Sequence, residues 1–190
     1  MTTQDIVIVL LVFLVVFSGI YINYFRENKK DKMIYESNKK SLLVFRVLTP
    51  LAIVGSLIFY FYEIGAFDVN FYFLLLGTII SFFGIGLRWY AVISLSHAFR
   101  VNVSIVEGQE LHTFGVYKHI RHPSYTGYIL FYIGLGVTMC NYLSILILAF
   151  LPLITVLNRI KEEEKILVSH FKEEYEEYRK MSKKLIPFIF

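Results

Sequence analysis

The chain of 190 residues has little of what most globular chains use to fold. It holds a single cysteine, Cys140, which excludes an internal disulfide and any cysteine-based metal cluster. Charged residues make up only 18% of it, against about a quarter in ordinary soluble domains. It has no G-x-G-x-x-G, no phosphate-binding P-loop and no nucleophile elbow, which excludes a soluble-type dinucleotide domain. There is no internal repeat and no low-complexity segment.

What is present is apolar: 56% of residues are hydrophobic, and the mean hydropathy is +0.59. The class is an all-α integral membrane protein. Ile6 to Phe25 is long enough to cross about 30 Å of hydrocarbon as a helix. It lacks a basic flank and a small-residue cleavage site, and is therefore expected to be a retained span. Further spans are expected over Leu42–Tyr62 and Phe71–Leu95. Two shorter apolar stretches, Tyr125–Met139 and Leu143–Leu157, are separated only by Cys140, Asn141 and Tyr142, a spacing that predicts a tight helical hairpin kinked at Pro152. Gly77, Gly84 and Gly86 are small positions at which another helix can approach the third span. The expectation is about five spans in one membrane domain. It divides into three N-terminal spans (1–95), a polar loop (96–123), the hairpin (124–158) and an amphipathic C-terminal helix (159–185) ended by Pro187.

The net charge of +4 is not a nucleic-acid signal, because the basic residues cluster beside spans, where they set topology and meet membrane lipid. Arg26, Lys29, Lys30, Lys32, Lys39, Lys40 and Arg46 outweigh the acids of the first connector, while the link Glu63–Asn70 has acids and no base. The predicted topology puts the N-terminus outside, and the polar loop and C-terminus on the cytoplasmic side. Arg88 and Trp89 near the inner end of the third span read as a snorkelling base and an interfacial ring.

The stretch Gly108–Tyr128, GQELHTFGVYKHIRHPSYTGY, concentrates the chemistry. His112, His119 and His122, with Lys118 and Arg121, are too costly for hydrocarbon and belong in water or against a polar ligand. Pro123 disfavours helix at His122 and suits the first position of a new one. The histidines lack the i, i+4 spacing and the carboxylate that a metal site needs, so no metal is expected. Arg121 and His122 read either as an interfacial anchor or, with Tyr117, Tyr125 and Tyr128 nearby, as part of a pocket. Arg159 and Glu163 share a helix face. They form either a surface ion pair or a site in which Arg159 grips a carboxylate or phosphate and Glu163 accepts hydrogen bonds.

The run GVYKHIRHPSYTGYIL, then R-x-x-x-E-E-x-x-L-x-x-x-F-x-x-x-Y-x-x-Y over Arg159–Tyr178 and a terminal Ile186-Pro187, resembles the isoprenylcysteine carboxyl methyltransferases. The resemblance covers Arg88 to Pro187; the first half is similar only in hydropathy. It implies S-adenosylmethionine as cofactor and methylation of a prenylcysteine-like carboxylate on a lipophilic substrate that enters from the bilayer. It further implies that Gln109, Glu110, Leu111 and His112 line the cofactor pocket, that Tyr117, His122, Pro123, Ser124 and Tyr125 continue it, and that Glu163 binds the cofactor too. Asn102 stands where some members place a contacting Gln, and Arg159 matches the arginine that holds the substrate carboxylate. Two departures are Lys172, where many members have Gly, and His112, where an aliphatic residue is commoner. Similar membrane folds methylate phospholipid amines or small thiols, and sterol-type reductases share an R-H-P-x-Y pattern with a nicotinamide cofactor; a non-enzymatic scaffold is the remaining alternative.

Overall fold

The computed structural model describes residues 2–27, 33–36, 39–95, 104–106 and 110–190. Among the described residues, six α-helices carry the fold: α1 (Thr3–Glu27), α2 (Lys39–Phe61), α3 (Phe71–Leu95), α4 (Pro123–Thr138), α5 (Tyr142–Phe171) and α6 (Glu173–Met181). A short antiparallel ribbon pairs β1 (Met33–Glu36) with β2 (Ser104–Val106), and a 3-10 turn spans Gly115–Lys118.

Among the described residues, four helices are long and apolar enough to cross a membrane: α1, α2, α3 and α5, with mean hydropathies of 2.8, 2.2, 1.7 and 2.1 over their apolar windows. Their outward faces are unlike those of a soluble protein. Phe13, Phe17, Phe82, Phe83 and Phe150 are all exposed, an arrangement stable only where the surroundings are themselves apolar. The fourth helix, α4, has 16 residues, about 24 Å of rise and short of a full hydrocarbon crossing. It is packed more deeply than the others: Phe131, Tyr132 and Leu135 join Leu148, Val156 and Ile160 of α5 in the core.

Small residues bring α3 and α4 together. A Cβ on Gly84 would lie 2.5 Å from Phe131 N, and one on Gly134 2.5 Å from Ser81 N. Backbones this close leave no room for a methyl group, and van der Waals contact replaces the hydrophobic drive that is absent between helices in lipid. Gly77 and Gly84 lie in this contact as expected, but Gly86 faces open space. Gly86 lies two residues beyond Gly84, hence on another side of the helix.

Three residues turn α4 into α5. Asn141 caps α5, its Oδ1 accepting from Ser144 N at 3.0 Å. Its amide also donates to the carbonyls of Phe59 (3.2 Å) and Ile64 (3.0 Å), pinning the turn to the end of α2. Cys140, buried beside it, takes a positive φ of 48°.

Past Asn158 the structure departs from the expected single helix. Apolar α5 runs straight into its charged continuation, passes through Pro152 without ending, and stops at Phe171. Lys172 adopts φ 48° and ψ −119°, where glycine is the comfortable residue, and α6 begins on the far side of that break. The α6 helix ends at Met181, well before Pro187, because the chain turns extended at Ser182 and runs back along the site. There Arg121 N donates to Lys183 O (2.7 Å), Lys183 N to His119 O (3.1 Å) and His122 N to Lys184 O (3.0 Å). This C-terminal strap gives the loop before α4 the backbone partners that it lacks on its own.

Candidate functional site

The site forms where α4 begins and α5 leaves its apolar segment. Pro123 opens α4 at a position where its missing N–H costs nothing, and His122 precedes it with non-helical backbone angles (φ −125°, ψ 56°). That geometry turns the His122 ring inward, where it is 4% exposed. It meets α5 between two adjacent carboxylates: Nδ1 is 3.9 Å from Glu163 Oε2, and Nε2 is 3.5 Å from Glu164 Oε1.

The two carboxylates have different surroundings. Glu164 is buried and enclosed by nitrogen groups: Arg121 Nε at 3.0 Å, His122 Nε2 at 3.5 Å, and Lys184 Nζ at 3.7 Å from its other oxygen. Arg121 uses Nη1 on the carbonyls of Arg179 and Ser182. This cluster is a structural clamp that joins loop, α5 and strap, and it assigns Arg121 to the interior rather than to a lipid anchor. Glu163, with its side chain 32% exposed, keeps an accessible face.

One turn before Glu163, Arg159 is 3% exposed on the same side of α5. Its Nε lies 3.3 Å from Tyr125 Oη on α4, and its guanidinium carbon is 5.8 Å from the centre of the Phe45 ring on α2. Tyr125 in turn lies beside His122, with ring centroids 5.8 Å apart. Arg159, Tyr125, His122 and Glu163 therefore form one continuous group built by α4 and α5, with Phe45 of α2 against its arginine.

The loop before α4 adds a second group. His112 packs on Phe114 (3.9 Å between centroids) and edge-on to Tyr117 (4.9 Å). Burial lowers the His112 pKa, so the imidazole is neutral at pH 7 and one ring nitrogen is an acceptor. Its Nε2 is buried with no hydrogen-bond partner among the described residues. Tyr117 donates to Ala91 O of α3 at 3.2 Å and accepts, through its own carbonyl, the Tyr178 hydroxyl at 2.6 Å. Burial first, and then the Glu163 charge, hold the Tyr117 hydroxyl well above its ordinary pKa, while burial pushes Tyr178 up to about 12. Both phenols stay protonated donors.

Of the residues singled out from the sequence, His122, Pro123, Tyr125, Arg159 and Glu163 converge, and Tyr117 and His112 flank them. Leu111 is half-buried beside His112, and Glu110 is exposed. Ser124 faces α3, its carbonyl and hydroxyl oxygens each 3.4 Å from Arg88 Nη1. Asn102 and Gln109 lie outside the described residues. A surface hollow of about 490 Å³ at the α5–α6 break, lined by Lys172, Glu173 and Glu176, holds none of these residues.

The profile of the isoprenylcysteine carboxyl methyltransferase family matches residues 75–169, from within α3 almost to the end of α5. The chain belongs to that family. Among its relatives are a protein-S-isoprenylcysteine O-methyltransferase of Schizosaccharomyces pombe, 38% identical over 40% of this chain and 33% of the relative, and one of Xenopus laevis, 35% identical over 60% and 40%. A probable protein-S-isoprenylcysteine O-methyltransferase of Oryza sativa is 31% identical over 60% of each chain. The fold is similar to a solved structure of a eukaryotic intramembrane Ras methyltransferase of this family, with a TM-score of 0.66, 28% identity, and coverage of 74% of this chain and 52% of the other. The chain thus spans only part of the length of the relatives that it matches.

Every converging residue falls inside the family match, whereas α1 and the strap fall outside it. Two residues take places that the sequence reading did not give them. Arg88 does not snorkel outward; its guanidinium carbon lies 5.1 Å from the centre of the Tyr128 ring, on the α4 side. The signal was there, since Gly77, Ser81, Gly84 and Arg88 recur at helical spacing on the face that packs against α4. Glu164 carried no local signal distinguishing it from Glu163.

Proposed function

We propose that this protein is an S-adenosylmethionine-dependent methyltransferase that esterifies the carboxylate of a prenylcysteine-like, lipophilic substrate. The observation that carries this reading is Arg159, buried at the helix junction, braced by Tyr125 and one turn from the accessible Glu163. A buried guanidinium beside aromatic rings is suited to a carboxylate that arrives on an apolar carrier.

The residues suit the cofactor. Glu163 accepts hydroxyl hydrogen bonds, the unpartnered His112 Nε2 accepts one more, and Tyr117, His122, Pro123 and Tyr125 form the wall. Glu110, Leu111 and Ser124, with Gln109 and Asn102, extend the same reading toward the loop. When bound, S-adenosylmethionine supplies a methyl group made electrophilic by its sulfonium. The protein's own task is then to bring in a carboxylate and strip its water. The carboxylate is already ionised at pH 7 and needs no general base. Arg159 holds it in one orientation, Tyr125 fixes the arginine, and the apolar surroundings keep water away, so approximation does most of the work.

In this reading α4 is a fifth, short membrane element, and α4 and α5 form the tight hairpin. The N-terminus lies outside, and the site and C-terminus face the cytoplasm. The lipophilic chain enters between helices from the bilayer, and the polar cofactor enters from the water side.

The test is S-adenosylhomocysteine binding to the detergent-purified protein, with Glu163→Ala and Tyr125→Ala in parallel. Saturable binding that both variants weaken supports the cofactor site, and a folded parent that does not bind refutes it. Methylation of a prenylcysteine analogue, lost in Arg159→Ala and flat in rate around neutral pH, supports the carboxyl acceptor. A rate that climbs with pH points to an amine instead.

A further inference from the structure

The end of the strap is apolar in the wrong place for a water-facing surface. Ile186, Phe188, Ile189 and Phe190 are 49%, 83%, 75% and 48% exposed, although they belong to no spanning helix. They are not a loose tail. Leu185 N and Ile186 N both donate to Phe190 O at 2.7 Å, and Phe190 N returns to Ile186 O at 3.1 Å, closing the turn on itself. The rings are held outward by a compact backbone.

The depth of this turn follows from one hydrogen bond. Thr126, in the first turn of α4, donates to Leu185 O at 2.7 Å. The turn therefore lies level with the start of α4, where the polar loop gives way to the apolar run. That level is the boundary between headgroups and acyl chains. Basic side chains lead into it along the chain: Lys180 and Lys183 are exposed, and Lys184 Nζ stands 5.5 Å from the centre of the Phe190 ring. Three of the four acids of α6 sit in its first turn, away from the strap; Glu177 follows them, and the bases Arg179 and Lys180 are in the last turn. Apolar rings at interfacial depth beside these lysines are complementary to an anionic leaflet.

We propose that the turn Ile186–Phe190 is a wedge that inserts into anionic lipid and, through the strap, sets the position of the site wall. The linkage is direct. Lys183 O and Lys184 O accept from the backbones of Arg121 and His122, and Arg121 reaches back to Ser182 and Glu164. A wedge seated in lipid holds the strap, and the strap holds His122 against Glu163. The coupling to ligand affinity rests on the cofactor site proposed above; the lipid contact does not.

The experiment uses the full chain in nanodiscs of phosphatidylcholine, with and without phosphatidylglycerol. A spin label is attached at Phe188→Cys, at Ile189→Cys and, as an aqueous control on α6, at Glu174→Cys. Cys140 is 1% exposed, and the unsubstituted parent shows whether it takes label. Labels at 188 and 189 should collide with lipid-dissolved oxygen far more than with a water-soluble nickel chelate, and more so with phosphatidylglycerol; the label at 174 should do the reverse. Nickel-dominated collisions at 188 and 189 in both discs overturn the wedge. So does shielding from both reagents, which would mean a protein partner or a second copy. S-adenosylhomocysteine affinity supplies the coupling arm. The parent should bind about fivefold tighter with phosphatidylglycerol, the scale of one lysine at an anionic surface. Lys180→Gln with Lys183→Gln, and separately Phe188→Asp, should remove that difference; equal affinity of the parent in both discs overturns the coupling. A lipid-seated label in a parent that binds no ligand in any disc leaves the wedge standing and removes the methyltransferase reading.

Discussion

Arg159 Nε stands 3.3 Å from Tyr125 Oη, so one side-chain pair ties the end of the apolar part of α5 to the first turn of α4. The tyrosine orients the arginine without neutralising it. Tyr125→Phe removes a hydrogen bond to a charged group, worth about 1.5–3 kcal/mol, and should raise the KM for the lipophilic substrate about tenfold or more with a smaller change in kcat. Arg159→Lys keeps the charge but loses the planar fork, and should cost about a hundredfold in kcat/KM. Steady-state kinetics with a prenylcysteine analogue checks both; an Arg159→Lys variant with parental kcat/KM would remove the arginine from the site.

His112 gives the loop a pH dependence whose sign is determined. Burial lowers its pKa from 6.5, so the folded loop resists a proton that the unfolded loop accepts. Its contribution is complete above about pH 6.5 and is lost as pH falls from there toward the lowered value. S-adenosylhomocysteine affinity in the parent should therefore weaken on acidification below about pH 6.5, more steeply than in His112→Leu. Identical acid limbs in the two proteins would show that another group titrates there.

The α3–α4 contact predicts opposite behaviour for glycines on one helix. Gly84→Ala places a methyl group against the Phe131 backbone and should destabilise by about 1–3 kcal/mol. Gly86→Ala meets nothing within 4 Å and should leave thermal stability in detergent unchanged or slightly raised. A melting comparison of the two variants decides it, and equal losses would contradict the helix packing.

Lys172 holds a conformation that costs an L-residue about 1–3 kcal/mol. Lys172→Gly should recover part of that and raise the melting temperature, with α5 and α6 otherwise unaltered. A lower melting temperature would mean that the lysine stem stabilises the break through contacts that outweigh the strain.

Much of this was legible in the chain itself. The apolar runs mark α1, α2 and α3 and the start of α5 to within a few residues, since a helix in hydrocarbon must satisfy its own backbone and so reports its extent locally; the charged continuation of α5 to Phe171 lies beyond its apolar run. Asn141 and Pro123 announce the starts of α5 and α4 through the same local bookkeeping of orphan amides. The strap was not legible. Ser182 to Leu185 look like the tail of an amphipathic helix, and only their backbone partners some 60 residues away, at His119 to His122, make them extended. Nor does the sequence distinguish the α6 break from a continuous helix, because the charged face runs on across Lys172.

The sequence by itself determined that the chain is a membrane protein of the isoprenylcysteine carboxyl methyltransferase family, and that an arginine and a carboxylate share a face beyond its last apolar run. Tertiary structure alone decided which of two neighbouring glutamates does what. Glu163 and Glu164 are chemically identical and adjacent, but a helix turns about 100° between them. Folding the loop and strap against α5 put Arg121, His122 and Lys184 around Glu164 and left Glu163 accessible beside Tyr125 and Arg159. That division of labour is set by direction in space, which spacing along the chain encodes only once the partners are in place.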